Sequence, residues 1–251
     1  MKKDPPSEQL QPIINLYTQG QLQQGLSKAT QMLEKFPNSV VLYNISGACN
    51  AGLMQFDAAI SSYKQALKIN PDYAEAYYNI SVALKDKGDL EAAIESYTQA
   101  IKIKPDYAQA YNNMGNALKE NGDLDASISS YKQALKIKPD YAQAYNNMGN
   151  TLKEKGDLDA AISSYKQALK IKPDWAEGYN DLGNALLLLN QTEQALVTFE
   201  KAISLKKDLN AAISGLGNAL LKKGEHSEGL DKLRKSEGSI LFNIKSGLSI
   251  K

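Results

Sequence analysis

The chain has 251 residues, with 29 Lys and Arg against 28 Asp and Glu, a net charge of +1. So near a balance, with lysines interleaved among acids and not gathered into a patch, argues against nucleic acid and against an anionic membrane surface as partners. A single cysteine, Cys49, and a single histidine, His226, exclude an internal disulfide and a Cys/His zinc cluster, and no stretch approaches the roughly 18 to 20 apolar residues of a membrane span.

Proline punctuates the chain at Pro37, Pro71, Pro105, Pro139 and Pro173, each 34 residues after the last, a period that marks a repeat architecture. Residues 105–138 and 139–172 differ only at Ala117/Thr151, Asn121/Lys155 and Ser127/Ala161. The repeats fall at 6–39, 40–73, 74–107, 108–141, 142–175 and 176–209, with a broken one from Asn210. Residues 1–39 read as a divergent N-terminal capping repeat: Gly20, Leu22 and Pro37 are in register, but Gly25 stands where a small alanine belongs and Pro12 falls inside the first helix. Five regular repeats occupy 40–209. Met54 replaces the turn glycine of the first of these, and the last ends in Lys207-Asp208 without proline. A partial repeat covers 210–238, and 239–251 is a non-repeat apolar tail.

Residues 108–141 give the local reading. The first helix is expected to take its N-cap from Asp106, with Gln109 at the spacing of a capping box; Asp72 with Glu75, Asp140 with Gln143 and Asp174 with Glu177 repeat the pattern. Tyr111, Met114, Ala117 and Leu118 form its apolar stripe. Asn121-Gly122 supplies a left-handed helix end, and Asp123 caps a second helix that buries Leu124, Ile128, Tyr131, Ala134, Leu135 and Ile137. That helix stops at Lys138 because the residue before Pro139 is disfavoured in the helical region. A pair of this size cannot bury its stripe alone, so each pair packs on its neighbours.

These residues resemble the tetratricopeptide repeat: an aromatic (Tyr111) and a small glycine (Gly115) in the first helix, an aromatic and alanine (Tyr131, Ala134) in the second, and a closing proline (Pro139). The set recurs as Tyr77, Tyr97, Ala100, Pro105 and as Tyr145, Gly149, Ala161, Tyr165, Ala168, Pro173, and the likeness covers residues 40 to 233. It implies an all-α, right-handed superhelical solenoid of antiparallel helix pairs, with the first helix of each pair lining a concave groove that binds protein or peptide.

The first helices carry a repeated, mainly amide set: Asn79, then Asn112, Asn113 and Asn116, then Asn146, Asn147 and Asn150, then Asn180, Asp181 and Asn184, with Asn218 following. Asn is a poor mid-helix residue, so the repetition needs another justification. In one reading an amide of each repeat bonds across to its neighbour, the repetition being inherited by duplication. In the other, amides project into the groove and offer donor and acceptor to a peptide backbone, as in the similar asparagine ladder of O-linked N-acetylglucosamine transferases. Lys119 and Lys153 add positive charge one turn on. Leu187 and Leu188 belong to an apolar run too long for one buried stripe and are expected to face the groove in part, with Leu221.

No acid–base or nucleophilic constellation stands out: His226 sits at a helix boundary, and the recurring aspartates are explained by caps and turns. No enzymatic activity, metal or cofactor is therefore expected. The opening from Met1 to Gln9 lacks the apolar core of a secretory signal, and a cytoplasmic location is expected. The expected role is a protein-interaction scaffold. Two alternatives are the recruiting region of a larger transferase or oxygenase and a self-assembling repeat protein. The tail, with an apolar run at Ile240-Leu241-Phe242-Asn243-Ile244 and a turn at Lys245-Ser246-Gly247, reads as a seam to a further domain, a segment folded back on the last repeat, or a self-association surface.

Overall fold

The computed structural model describes residues 4–237, 240–243 and 247–250. Among them fourteen helices follow one another: α1 (Ser7–Thr18), α2 (Leu22–Leu33), α3 (Val40–Gly52), α4 (Phe56–Ile69), α5 (Ala74–Lys87), α6 (Leu90–Ile103), α7 (Ala108–Glu120), α8 (Leu124–Ile137), α9 (Ala142–Lys155), α10 (Leu158–Ile171), α11 (Ala176–Leu188), α12 (Thr192–Leu205), α13 (Asn210–Lys223) and α14 (His226–Glu237). They form an all-α solenoid of antiparallel pairs. A short antiparallel ribbon follows, β1 (Ile240–Asn243) with β2 (Gly247–Ile250), in the register Ile240 to Ile250 and Phe242 to Leu248. Strand pairing was not anticipated for the tail; Lys245 and Ser246, expected to make its turn, lie outside the described residues. The fold divides into two compact bodies, Met1–Ile137 with α1 to α8 and Lys138–Lys251 with α9 to α14 and the ribbon.

The turn inside each pair is closed by a residue in the left-handed region: Gly88, Gly122 and Gly156 at φ +91°, +87° and +90°. Met54 and Asn190 adopt the same conformation at φ 59° and 61° without being glycine. The aspartate that follows then caps the second helix, Asp89, Asp123 and Asp157 accepting from the backbone N–H groups of Ala92, Ala126 and Ala160 at 3.3, 3.1 and 3.2 Å.

The expected N-caps of the first helices are corrected. Tyr73, Tyr107, Tyr141 and Trp175 occupy the cap positions, and none makes a side-chain cap bond. The physical reason lies in the connection. Tyr107 N–H bonds the Lys104 carbonyl at 3.2 Å, and Tyr141 N–H bonds that of Lys138 at 3.2 Å, so each Pro-Asp is the centre of a β-turn and its aspartate falls one residue short of the cap. Lys104 and Lys172, each before a proline, are extended at φ −126°, which ends α6 and α10. Lys206 adopts φ −143° with no proline behind it, and Leu209 N–H closes the same turn on its carbonyl at 3.1 Å.

Ile128, Tyr131, Ala134 and Leu135 are buried as expected, but Leu124 and Ile137 are only half-buried, because they lie in the first and last turns of α8. The ring of the second helix sits directly on the glycine of the first. A Cβ at Gly115 would lie 2.6 Å from Cε1 of Tyr131, at Gly149 2.6 Å from Tyr165, and at Gly183 2.7 Å from Phe199. All three rings are fully buried, each worth about 1.5–3 kcal/mol of burial free energy. At α1, Pro12 is accommodated on the exposed face of a helix that runs through it.

Candidate functional site

Successive first helices lie side by side, α3 with α5 and α5 with α7 in one body, α9 with α11 and α11 with α13 in the other. Between them runs a ladder of side-chain hydrogen bonds linking residues 35 apart. The Asn79 amide donates to Asn44 Oδ1 at 2.9 Å, Asn113 to the Tyr78 hydroxyl at 2.9 Å, and Asn146 to Asp181 Oδ2 at 2.9 Å. These cross-repeat bonds are what the structural reading of the amides anticipated. Asp181 belongs to the repeated set read from the sequence; the partners Asn44 and Tyr78 were missed by sequence reasoning, because a period of 34 residues does not announce bonds between residues 35 apart.

A second set of bonds runs inside two of the repeats, 108–141 and 142–175, between residues 15 apart. The Tyr131 hydroxyl donates to Asn116 Oδ1 at 2.7 Å and that of Tyr165 to Asn150 Oδ1 at 2.8 Å. Burial, reinforced by the Asp181 carboxylate, holds the Tyr165 proton in place well above the ordinary phenol range, so this hydroxyl remains a donor. In residues 74–107 the corresponding pair is Tyr97 and Val82, and no amide stands at that position.

The amides therefore divide. Asn112 and Asn146 are buried, at 3% and 4% exposure, and Asn112 donates to Asn113 Oδ1 at 3.1 Å. A ligand reaches neither without displacing a neighbouring repeat, which assigns them to structure. Asn79, Asn113, Asn116, Asn147, Asn150, Asn180 and Asn184 are half-buried, as are Lys119 and Lys153. Asn147 Oδ1 accepts from Gln143 at 2.9 Å. Leu187 is half-buried and Leu188 is 61% exposed. The last two line a depression of about 520 Å³ with Asn184, Asn218 and Lys222, and Lys222 Nζ bonds the Leu187 carbonyl at 3.0 Å. Lys222 had not been foreseen as a site residue. Leu221 packs against α14 at Gly229, so it faces the partner helix more than the depression.

Among the described residues no group of three or more His, Cys, Asp or Glu is placed to hold a metal ion, and no helix is long and apolar enough to cross a membrane.

The repeat spacing, the Gly–aromatic contact and the stacked first helices coincide with a known pattern: the family described as TPR repeat matches residues 55–86, 82–122, 115–156 and 149–190, and the tetratricopeptide repeat matches 176–209. The chain belongs to the tetratricopeptide-repeat family. As a member it is, in general terms, a protein-interaction scaffold. It is similar to a probable UDP-N-acetylglucosamine–peptide N-acetylglucosaminyltransferase SEC of Arabidopsis thaliana, 32% identical over 76 residues, which is 30% of this chain and only 8% of that one. Among solved structures it is similar to MamA, at 28% identity and TM-score 0.61 over 64% of this chain and 94% of that one. YrrB, described as a TPR protein with an unusual peptide-binding site, shares the fold at 19% identity and TM-score 0.61 over 74% of this chain and 95% of its own.

Proposed function

We propose that this tetratricopeptide-repeat protein binds an extended segment of another protein along the surface of its first helices, and that its role is recognition and not catalysis. The observation that carries this reading is the division of the amides. Asn112 and Asn146 are buried between helices, while Asn113, Asn147 and Asn184 remain half-buried on rigid helices, Asn113 with one amide hydrogen given to Tyr78 in the ladder. A side-chain amide there offers one donor pair and one acceptor, the complement of a peptide unit. The ladder adds preorganisation, since side chains already fixed by packing lose less entropy on binding. The description of YrrB as peptide-binding supports the same assignment by analogy of fold.

A pull-down from source lysate with the parent chain and with Asn113→Ala/Asn147→Ala tests it, after circular dichroism has established that both fold. Loss of partners places recognition on Asn113 and Asn147; an unchanged partner set moves it to the Leu187 and Leu188 surface or to the tail and leaves these two amides as structure.

A second reading, that the chain recruits substrates for a transferase, is supported by the 32% identity over 76 residues to the plant enzyme. Mass spectrometry of the protein purified from its source decides it: a product longer than this chain with a transferase domain favours recruitment, and a product of this length without a stable transferase partner rejects it.

A further inference from the structure

In residues 108–175 the amides have internal employment: Asn116 accepts from Tyr131, Asn150 accepts from Tyr165, and Asn146 donates to Asp181. Residues 176–209 break both patterns at once. The residue 15 after Asn184 is Phe199, which has no hydroxyl to donate, and the residue 35 after Asn180 is Gly215, which has no side chain. The two changes belong together, because the Phe199 ring fills the space on both sides: a Cβ at Gly215 would lie 2.4 Å from its Cε1, and one at Gly183 2.7 Å. Asn218 repeats the loss, since the residue 15 after it is Leu233. Asn180 Oδ1 is buried without a hydrogen-bond partner, as is Asn146 Oδ1, so what sets 176–209 apart is the missing hydroxyl donor to Asn184 and the missing acceptor for the Asn180 amide.

The released amides meet the only strongly exposed leucine of the described chain. Asn184 and Asn218 line the depression of about 520 Å³ together with Leu187, Leu188 and Lys222. The Lys222 ammonium spends one donor on the Leu187 carbonyl and has no carboxylate within ion-pair distance among the described residues. It sits beside the C-terminal end of α11, whose last turn carries no basic residue of its own.

We propose that the surface of α11 and α13 is the primary peptide site of this molecule, narrowing the peptide-binding reading on which it rests. An extended peptide crosses the two helices with its backbone held by Asn184 and Asn218. A large aliphatic side chain covers Leu187 and Leu188, and a neighbouring Asp or Glu meets Lys222. Amides that elsewhere satisfy tyrosine hydroxyls or adjoining repeats are here satisfied by the ligand. The chemistry selects an aliphatic residue beside an acid and reads the rest of the peptide through its backbone alone.

The test uses the full chain and a randomised library of N-acetylated, C-amidated decapeptides, so that no terminal carboxylate contributes. Enrichment of Leu, Ile or Met beside Asp or Glu is expected. An enriched peptide should bind Asn184→Ala/Asn218→Ala about ten-fold or more weakly than the parent, and Asn79→Ala/Asn113→Ala within about two-fold of it. Phe199→Tyr supplies the missing hydroxyl to Asn184 and should weaken binding several-fold while raising the melting temperature, an outcome that damage to the fold cannot imitate. Peptides that bind the Asn184/Asn218 and Phe199 variants as well as the parent but are lost on Asn79→Ala/Asn113→Ala overturn this site and leave the broader reading standing. A library that yields no enrichment over a denatured control overturns both. Enrichment of sequences drawn from this chain's own repeats would make a second copy the occupant and overturn the heterologous peptide.

Discussion

The hydroxyl of Tyr131 donates to Oδ1 of Asn116 across 2.7 Å, tying the second helix of a repeat to the first at the point where the Tyr131 ring rests on Gly115. Packing alone would leave that ring free to slide along the glycine; the bond fixes its depth. Tyr131→Phe keeps the ring and removes the tether, so stability should fall by about 1 kcal/mol, the usual net worth of a hydrogen bond whose acceptor can rehydrate. Urea unfolding should give a lower midpoint with an unchanged slope, and a changed slope would point to altered compactness instead.

Gly149→Ala adds a methyl 2.6 Å from Cε1 of Tyr165, a ring that its bond to Asn150 holds in place. Overpacking of this kind costs about 1–3 kcal/mol, against about 1 kcal/mol regained in helix propensity, so a net loss near 1 kcal/mol is expected. Ser81, at the same place against the untethered Tyr97, marks the limit of the effect. There Ser81→Gly should destabilise, through lost helix propensity and through loss of the buried hydroxyl that donates to the Tyr78 carbonyl at 2.7 Å, and thermal denaturation of the two variants compares them directly.

Met54 holds the left-handed turn at φ 59° and is 75% exposed. Its side chain contributes little packing to offset the strain of that conformation, and Met54→Gly should stabilise the protein by about 1 kcal/mol. Asn190→Gly should gain less, since asparagine tolerates the left-handed region better. Chemical denaturation of the two single variants distinguishes this from a general loosening.

Burial keeps the hydroxyls of Tyr63, Tyr97 and Tyr165 protonated well above the unfolded value of 10.0, and Tyr107 is pushed up to about 12. The native state therefore holds more protons than the unfolded chain above pH 10, and stability must fall as pH rises from there. The contribution is complete below that pH. Melting temperature should be level with respect to these groups up to pH 10 and then decline, with the absorbance of buried tyrosinate appearing together with loss of helical signal. Full ionisation of the fourteen tyrosines in a still-helical protein would contradict it.

The repeat, its helix ends and its second-helix caps were legible because each depends on residues within one period: Gly122 for the turn, Asp123 for the cap, Pro139 for the stop. The first-helix caps were misread because Pro-Asp supports two local structures, and the β-turn closed on Lys104 or Lys138 leaves the aspartate a residue early. For the amides, sequence supplied the set but not the division of labour. Whether Asn146 or Asn147 is buried depends on how far each helix is rotated against its neighbour, a tertiary quantity. The ribbon was hidden for another reason: pairing Ile240 with Ile250 depends on a register that an apolar run alone does not specify.

Trp175, the single tryptophan, stands at the start of α11 with the Lys172 ammonium 5.1 Å over its ring, inside the second body and on the helix that carries Asn180 and Asn184. Its emission is thus a private optical channel for half the molecule, while helical dichroism sums over both halves. Heating followed by the two signals at once would separate a solenoid that melts as one cooperative block from one that comes apart in stages, without a label or a substitution.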